Sequence, residues 1–402
     1  MTRMKESGID WIGQIPEEWE VTKLKYALLI NNGKDYKDIE VEEGGYPVIG
    51  SGGVFARSRN YMYDGDVVLL GRKGTIDKPL FYSGKFWTVD TMFYSTALNG
   101  NNIKFMYYSS LLIPFSYYST ATALPSMTQS NLNNHMLCLP SISEQQKIAD
   151  FLDKKIAQLD KVKALLEEQI QKLKDYRASL IYETVTKGLD KTVPMKDSGI
   201  DWIGQVPQGW GVDFVNHIFE EHKQKNKGNK EKNLLSLSYG RIIRKSIDTS
   251  FGLLPESFDT YNIIQRGDIV LRLTDLQNDK RSLRVGLARE NGIITSAYLT
   301  LRLKNICCSD SYMYYLLHTY DICKVFYNFG GGVRQGGTWS DIYKMELLIP
   351  PKNEQQKISD FLDKKTVQID KLIQIKNEQI KNINKQRQTL IYDYVTGKRR
   401  VY

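Results

Sequence analysis

The tightest constraint on this chain is that it carries one frame twice. Met4-Lys-Glu-Ser-Gly-Ile-Asp-Trp-Ile-Gly-Gln-Ile-Pro-Glu-Glu-Trp19 returns as Met195-Lys-Asp-Ser-Gly-Ile-Asp-Trp-Ile-Gly-Gln-Val-Pro-Gln-Gly-Trp210, an offset of 191. Glu144-Gln-Gln-Lys-Ile148 returns as Glu354-Gln-Gln-Lys-Ile358, an offset of 210. The match continues through Phe151-Leu-Asp-Lys-Lys155 and closes with Leu180-Ile-Tyr182 against Leu390-Ile-Tyr392. Between the matching blocks, residues 20–142 and 211–352 have diverged almost completely, and the second stretch is 19 residues longer. A solenoid would repeat every ~20–50 residues and is excluded. A retained frame around two unlike inserts means that the frame makes the same contacts twice, while the inserts do a similar job on different targets.

Each Glu-Gln-Gln-Lys block predicts the start of a long helix. Ser143 with Gln146, and Asn353 with Gln356, have the spacing of capping boxes, and Pro140 and Pro350-Pro351 keep the preceding chain out of the helix. Gly188 and Gly397 are the expected stops. Ile148, Leu152, Ile156, Leu159, Val162, Leu166, Ile170, Leu173, Tyr176 and Leu180 recur every three or four residues. Ile358, Leu362, Ile369, Leu372, Ile380, Ile383 and Leu390 do the same, with Thr366 as a polar interruption. A stripe sustained over about five heptads predicts a coiled-coil seam. About 40 residues at 1.5 Å rise give a rod of roughly 60 Å, and one apolar stripe on such a rod needs a partner. Two rods in one chain can supply each other as an antiparallel pair; packing of each rod separately on its own domain is the alternative.

The inserts share landmarks in the same order. Gly65-Asp-Val-Val-Leu69 parallels Gly267-Asp-Ile-Val-Leu271 as a turn feeding a strand. Met106-Tyr-Tyr108 parallels Met313-Tyr-Tyr315 in an aromatic helix, and Thr91–Leu98 and Ile294–Leu303 alternate as strands do. The expected fold is mixed α/β (α+β): two globular domains separated by two long helices that form an antiparallel intramolecular coiled coil, with pseudo-two-fold symmetry. The boundaries are a domain over 1–142 opening with motif 4–19, a helix over 143–188, a domain over 189–352 opening with motif 195–210, a helix over 353–397 and a basic tail over 398–402. The basic run His222-Lys-Gln-Lys-Asn-Lys-Gly-Asn-Lys-Glu-Lys232 reads as an exposed loop.

Composition narrows the function class. With 41% hydrophobic and 25% charged residues the chain is globular, and no uncharged run reaches the ~18–20 residues of a membrane span. Four cysteines (Cys138, Cys307, Cys308, Cys323) and no signal-peptide core point to the cytoplasm. Catalytic patterns are missing: Gly71-Arg-Lys-Gly-Thr75 lacks phosphate-loop spacing, and Gly330-Gly-Gly-Val-Arg-Gln-Gly-Gly337 lacks the dinucleotide order. Four histidines without a CxxC give no metal site. The expectation is therefore recognition, not catalysis.

The net charge of +9 is unevenly spread. Residues 211–352 hold 20 basic against 15 acidic side chains, residues 20–142 hold 11 against 10, and residues 353–402 hold 11 against 6. Lys and Arg make phosphate contacts, and Arg, Lys, Asn and Gln read base edges. The candidate DNA-binding residues in the first insert are Arg57, Arg59, Arg72, Lys73, Gln129 and Asn131. In the second they are Lys225, Arg241, Arg244, Lys245, Lys280, Arg281, Arg284, Arg334 and Gln335. Gln145, Ile148, Phe151, Leu152, Leu159, Gln355, Ile358, Phe361, Leu362 and Ile369 are the candidate coiled-coil and partner interface.

The duplicated opening motif and the paired Pro…Glu-Gln-Gln-Lys-Ile helices, four blocks in order over the whole chain, resemble the specificity subunit of type I restriction-modification enzymes. That resemblance implies two target-recognition domains, each reading one half of a bipartite, non-palindromic double-stranded DNA site. The helices would be a spacer that fixes half-site separation and docks two modification (methyltransferase) subunits, with restriction (motor and nuclease) subunits joining them. S-adenosylmethionine, ATP and Mg2+ would belong to those partners and none to this chain. A non-catalytic coiled-coil scaffold that binds proteins instead of DNA is the competing reading.

Overall fold

The computed structural model describes residues 3–118, 125–246, 257–276, 283–304, 308–328 and 336–401. They form two compact units that do not follow chain order: Met1–Leu166 with Asn377–Tyr402, and Glu167–Lys376. Each unit thus combines one insert with the start of one long helix and the end of the other. The first long helix is Ile142–Lys187 and the second Lys352–Val395. No helix among the described residues is long and apolar enough to cross a membrane.

The diverged inserts share a sheet. In the first unit, Leu28–Asn32, Met92–Ala97, Tyr63–Gly71 and Leu80–Thr88 lie side by side in that order, all antiparallel. In the second, Phe219–Glu221, Leu299–Leu303, Ile269–Leu271 and Val285–Leu287 repeat the order and the directions. The expected Gly-Asp strands occupy the third place in both. The aromatic helices are Ile103–Ser110 and Asp310–Ile322, each opened by a side chain that accepts a backbone N–H, Asn102 from Phe105 and Ser309 from Tyr312. The inserts differ in what surrounds this common sheet. The first adds Tyr46–Gly50, Gly53–Ser58 and Glu40–Val41, with Tyr46–Gly50 parallel to Leu80–Thr88. The second adds a hairpin, Leu235–Ser238 with Arg241–Arg244, and a separate pair, Asn262–Ile264 with Gly292–Ile294.

Within each unit the two helix segments run antiparallel. In the first unit the Phe151 and Tyr394 rings lie 4.5 Å apart and Asp160 faces Arg387 at 3.8 Å. In the second, Gln169 meets Lys376 at 2.5 Å and Arg177 meets Asp370 at 2.8 Å. The buried stripe departs from the expected seam. Val162, Tyr176 and Leu372 are about half exposed (47%, 54% and 47%), and the covered positions step instead to Lys163, Arg177 and Ile373. The covered positions keep a seven-residue period, Ile156, Lys163, Ile170 and Arg177 on the first helix and Thr366, Ile373, Ile380 and Arg387 on the second, so Val162, Tyr176 and Leu372 each sit one residue off the seam.

The helix starts also differ from expectation. Each helix begins one residue earlier than its predicted box, and Ser141 Oγ accepts from Glu144 N–H at 3.4 Å. Gln146 and Gln356 bond forward to Asp150 and Asp360 instead of back. Both glycine stops hold: Gly188 and Gly397 have φ of +70° and +72°. A Cβ there would meet Glu354 Oε1 at 2.9 Å and Pro16 Cδ at 2.3 Å, so packing and backbone both demand glycine.

Candidate nucleic-acid interface

The repeated motifs build the scaffold of the site. Trp19 and Trp210 are almost fully buried, each removing on the order of 200 Å² from water, roughly 5 kcal/mol of gross hydrophobic gain. Their indole N–H groups donate to Glu144 Oε2 (3.1 Å) and Glu354 Oε2 (3.0 Å). The next residue in each motif grips the insert through backbone atoms. Gln145 accepts from Asn102 N–H (2.8 Å) and donates to the Pro140 carbonyl (3.0 Å). Gln355 accepts from Ser309 N–H (2.9 Å) and donates to the Pro350 carbonyl (2.9 Å).

The opening motif also covers the end of the other copy's helix. In the second unit Tyr182 donates to the Trp202 carbonyl at 3.5 Å, and Lys187 Nζ to the Ile203 carbonyl at 3.1 Å and to that of Gln205. In the first unit Tyr392 donates to the Trp11 carbonyl at 3.1 Å, and Lys398 Nζ to the Ile12 carbonyl at 2.8 Å and to that of Gln14. Lys-Gly at 187–188 is transposed to Gly-Lys at 397–398, yet both lysines reach equivalent carbonyls. This role of the opening motif was missed from sequence, although the repeated Leu-Ile-Tyr blocks were its signal.

On that scaffold the third strand of each sheet ends at a matching junction. In the first unit Tyr63–Gly71 runs into Arg72 and Lys73, and the segment before the short helix Gln129–Asn134 returns to meet it. Met127 N–H donates to the Arg72 carbonyl and Gly74 N–H to the Pro125 carbonyl, both at 2.9 Å, and Lys73 and Ser126 form a bridge. In the second unit Ile269–Leu271 runs into Arg272 and Leu273, and Gly337 N–H donates to the Leu273 carbonyl at 2.7 Å, just before the short helix Trp339–Ile342. Thr128 caps Asn131 N–H at 3.0 Å, and Asp341 caps Thr338 N–H at 2.7 Å.

The first-unit junction gathers four of the expected residues. Lys73 is exposed, and Arg72 and Asn131 are half-buried. Arg72 lies over the Phe93 ring (5.9 Å) and donates to the Asp90 carbonyl at 3.2 Å. Gln129 is partly spent, because its Nε2 holds the Ile30 carbonyl at 2.7 Å. The polar run 126–131 is therefore a bridge and a capped turn of helix, not an open loop. Arg57 and Arg59 lie elsewhere. Arg57 sits on Gly53–Ser58, sixth in the seven-strand order, where its Nη1 leans on the Gly44 and Gly45 carbonyls (3.4 and 3.3 Å). Arg59 leans on the Asp38 carbonyl at 3.5 Å.

In the second unit Arg241 and Arg244 are strand residues, not loop residues, on a hairpin turned by Tyr239 (φ +47°) and Gly240 (φ +75°). Arg241 pairs with Asp370. Arg244 Nε lies 2.8 Å from both Glu290 oxygens, and that contact holds the Glu290 carboxyl below the usual range. Lys245 is exposed. Lys225 is exposed but bonds the Thr260 carbonyl (2.9 Å) and Asn262 Oδ1 (3.0 Å), and the basic loop around it is closed by buried Asn226, which accepts from Glu231 N–H at 3.0 Å. Arg284 corrects the expectation outright: it is 0% exposed, with its guanidinium spent on backbone carbonyls, so it presents nothing to a duplex. Lys280, Arg281, Arg334 and Gln335 lie outside the described residues.

The expected interface residues work mostly inside the units. Ile148, Leu152 and, at its edge, Phe151 pack in the first unit's core, as Ile358, Leu362 and Phe361 do in the second. Gln145 and Gln355 are buried in the grips described above. Ile369 is 5% exposed and Leu159 half-buried on the covered stripe. The helix starts face their own inserts because the apolar stripe meets the globular core first, and helix-to-helix contact takes over further along.

A duplicated frame that carries two unlike α/β units, each with a junction after its third strand, is what these elements define. The profile of the type I restriction modification DNA specificity domain matches residues 16–174 and 259–385. The chain belongs to that family. It is 24% identical to the putative type I restriction enzyme MjaX specificity subunit of Methanocaldococcus jannaschii, over 97% of this chain and 96% of the relative. It is 22% identical to the MjaVIII specificity subunit of the same organism, over 96% and 94%. In fold it is similar to a solved chain from work on complex assembly and conformational transition of the type I R-M system, with a TM-score of 0.68 at 15% identity, over 96% of this chain and 99% of that one.

Proposed function

We propose that the chain is the DNA-recognition subunit of a type I restriction-modification complex, and that each unit reads one half of a bipartite, asymmetric site. The observation that carries this reading is the junction after the third strand, built in the same place in both units from unlike side chains. One backbone plan with two side-chain sets is what reading two different sequences requires. Arg72, Lys73 and Asn131 are the first unit's reading residues, and the segments after Leu271 and before Trp339 serve the second. Arg57, Arg59, Lys225 and Lys245 supply phosphate contacts. The long helices set the gap between half-sites and receive two methyltransferase subunits, which restriction subunits then join in the cytoplasm. S-adenosylmethionine, ATP and Mg2+ reside on those partners. Exchanging residues 20–142 for those of another family member and sequencing the methylated sites tests this: one half of the recognised sequence changes. Change in both halves, or in neither, refutes it.

A further inference from the structure

Arg284 has lost its expected place at the surface, and what it holds gives it another. Its Nη1 donates to the carbonyls of Arg272 (3.0 Å) and Thr274 (2.7 Å), and its Nη2 to that of Asp275 (3.2 Å). Its Nε donates to the Tyr327 hydroxyl (3.1 Å), and the guanidinium lies 5.3 Å from that ring's centroid. Its backbone N–H is held by buried Asp321 at 2.5 Å, and its carbonyl accepts from Arg272 N–H at 2.8 Å. One buried cation therefore draws three carbonyls of four consecutive residues inward, in the segment that leaves the third strand. Asp275 takes a left-handed conformation there (φ +57°), which aspartate adopts more readily than most residues, and it turns the chain so that its carbonyl meets the guanidinium. In the first unit, among the described residues, the same segment is held by backbone bonds with Thr91, Pro125 and Met127.

We infer that Arg284 is a positioning residue for sequence reading by the second unit: without touching DNA, it fixes the backbone of residues 272–275, from which the second half-site is read. The inference rests on the reading proposed above. Five N–H groups in a rigid fork suit three carbonyls and a hydroxyl, whereas a lysine ammonium offers three donors from a shorter reach.

The test uses the complex reconstituted with its methyltransferase subunits, carrying Arg284→Lys or Arg284→Met, with methylation of a randomised site library read by sequencing and thermal unfolding followed alongside. The expected result is an unchanged first half-site and a broadened second one. Preference for the best base over the next falls by about tenfold or more in the Met variant and by less in the Lys variant, which keeps part of the fork. Second half-site selectivity equal to wild type in both variants overturns the inference, and so does parallel loss in both halves, which marks general loss of fold. A companion exchange of residues 272–284 separates the two failures. If that exchange leaves the second half-site unchanged, the reading of DNA by this segment is wrong; if it alters the half-site while both Arg284 variants do not, only the positioning role is wrong.

Discussion

The indole N–H of Trp19 donates to Glu144 Oε2 at 3.1 Å across 125 positions of sequence, and Trp210 repeats the bond to Glu354 at 3.0 Å. A duplicated motif at the start of an insert is thereby pinned to a duplicated motif at the start of the helix that follows it. Trp210→Phe keeps most of the ring but leaves the carboxylate short of a donor. The expected cost is about 1–3 kcal/mol for a hydrogen bond to a charged group, read as a lower urea midpoint of the second unit's transition.

Asp370 receives two guanidinium groups, Arg177 at 2.8 Å and Arg241. Its partners come from the other long helix and from the second insert's hairpin, so one carboxylate ties three elements. Both Arg177 and Asp370 keep a quarter to a third of their side-chain surface in water, which limits the pair. A double-mutant cycle of Arg177→Ala and Asp370→Ala should give a coupling of about 1 kcal/mol that shrinks as salt rises; a coupling indistinguishable from zero at low salt would contradict this.

Two buried histidines set an acid limit. Burial lowers His135 and His318 to about 4, from 6.5 when exposed. Above pH 6.5 both are neutral, folded or unfolded. Between there and about 4 the unfolded chain takes up protons that the folded chain refuses, so stability falls as pH falls; below about 4 these two groups add no further loss. Among the described residues His318 Nδ1 has no hydrogen-bond partner to offset this, whereas His135 Nδ1 lies 2.9 Å from the Tyr118 hydroxyl. His318→Gln should remove up to roughly 3 kcal/mol of pH dependence from the second unit, measured as the change in urea midpoint between about pH 7 and about pH 4.5.

Gln169 and Lys376 face each other on the two long helices. Adding seven residues after each keeps the register of the pair and lengthens it by roughly 10 Å. At ~3.4 Å per base pair the gap between half-sites should widen by about three base pairs with both half-sites unchanged, as read by methylation mapping.

Much of this organisation was legible in the sequence because the frame is written twice. The long helices, their glycine ends and the common Gly-Asp strand and aromatic helix all sit where spacing placed them. The reading residues were less legible, because charge type says nothing about whether a side chain faces water. Arg284 and Lys245 look alike in sequence, yet one is buried among carbonyls and the other is exposed. The apolar pattern misplaced Val162 and Tyr176 because the covered seam runs through Lys163 and Arg177, whose long side chains an apolar pattern does not pick out. The capping boxes failed because Gln146 found a partner in Asp150, a competitor that local spacing does not rank.

Gln145 and Gln355 hold the aromatic helices by the N–H of Asn102 and Ser309 and the carbonyls of Pro140 and Pro350. Peptide groups are common to every polypeptide, so these clasps ask little of whatever residues lie between them. A foreign stretch joined within the repeated blocks would meet the same two clasps at its ends. The chemistry of two glutamines thus leaves the stretches between the clasps free to differ.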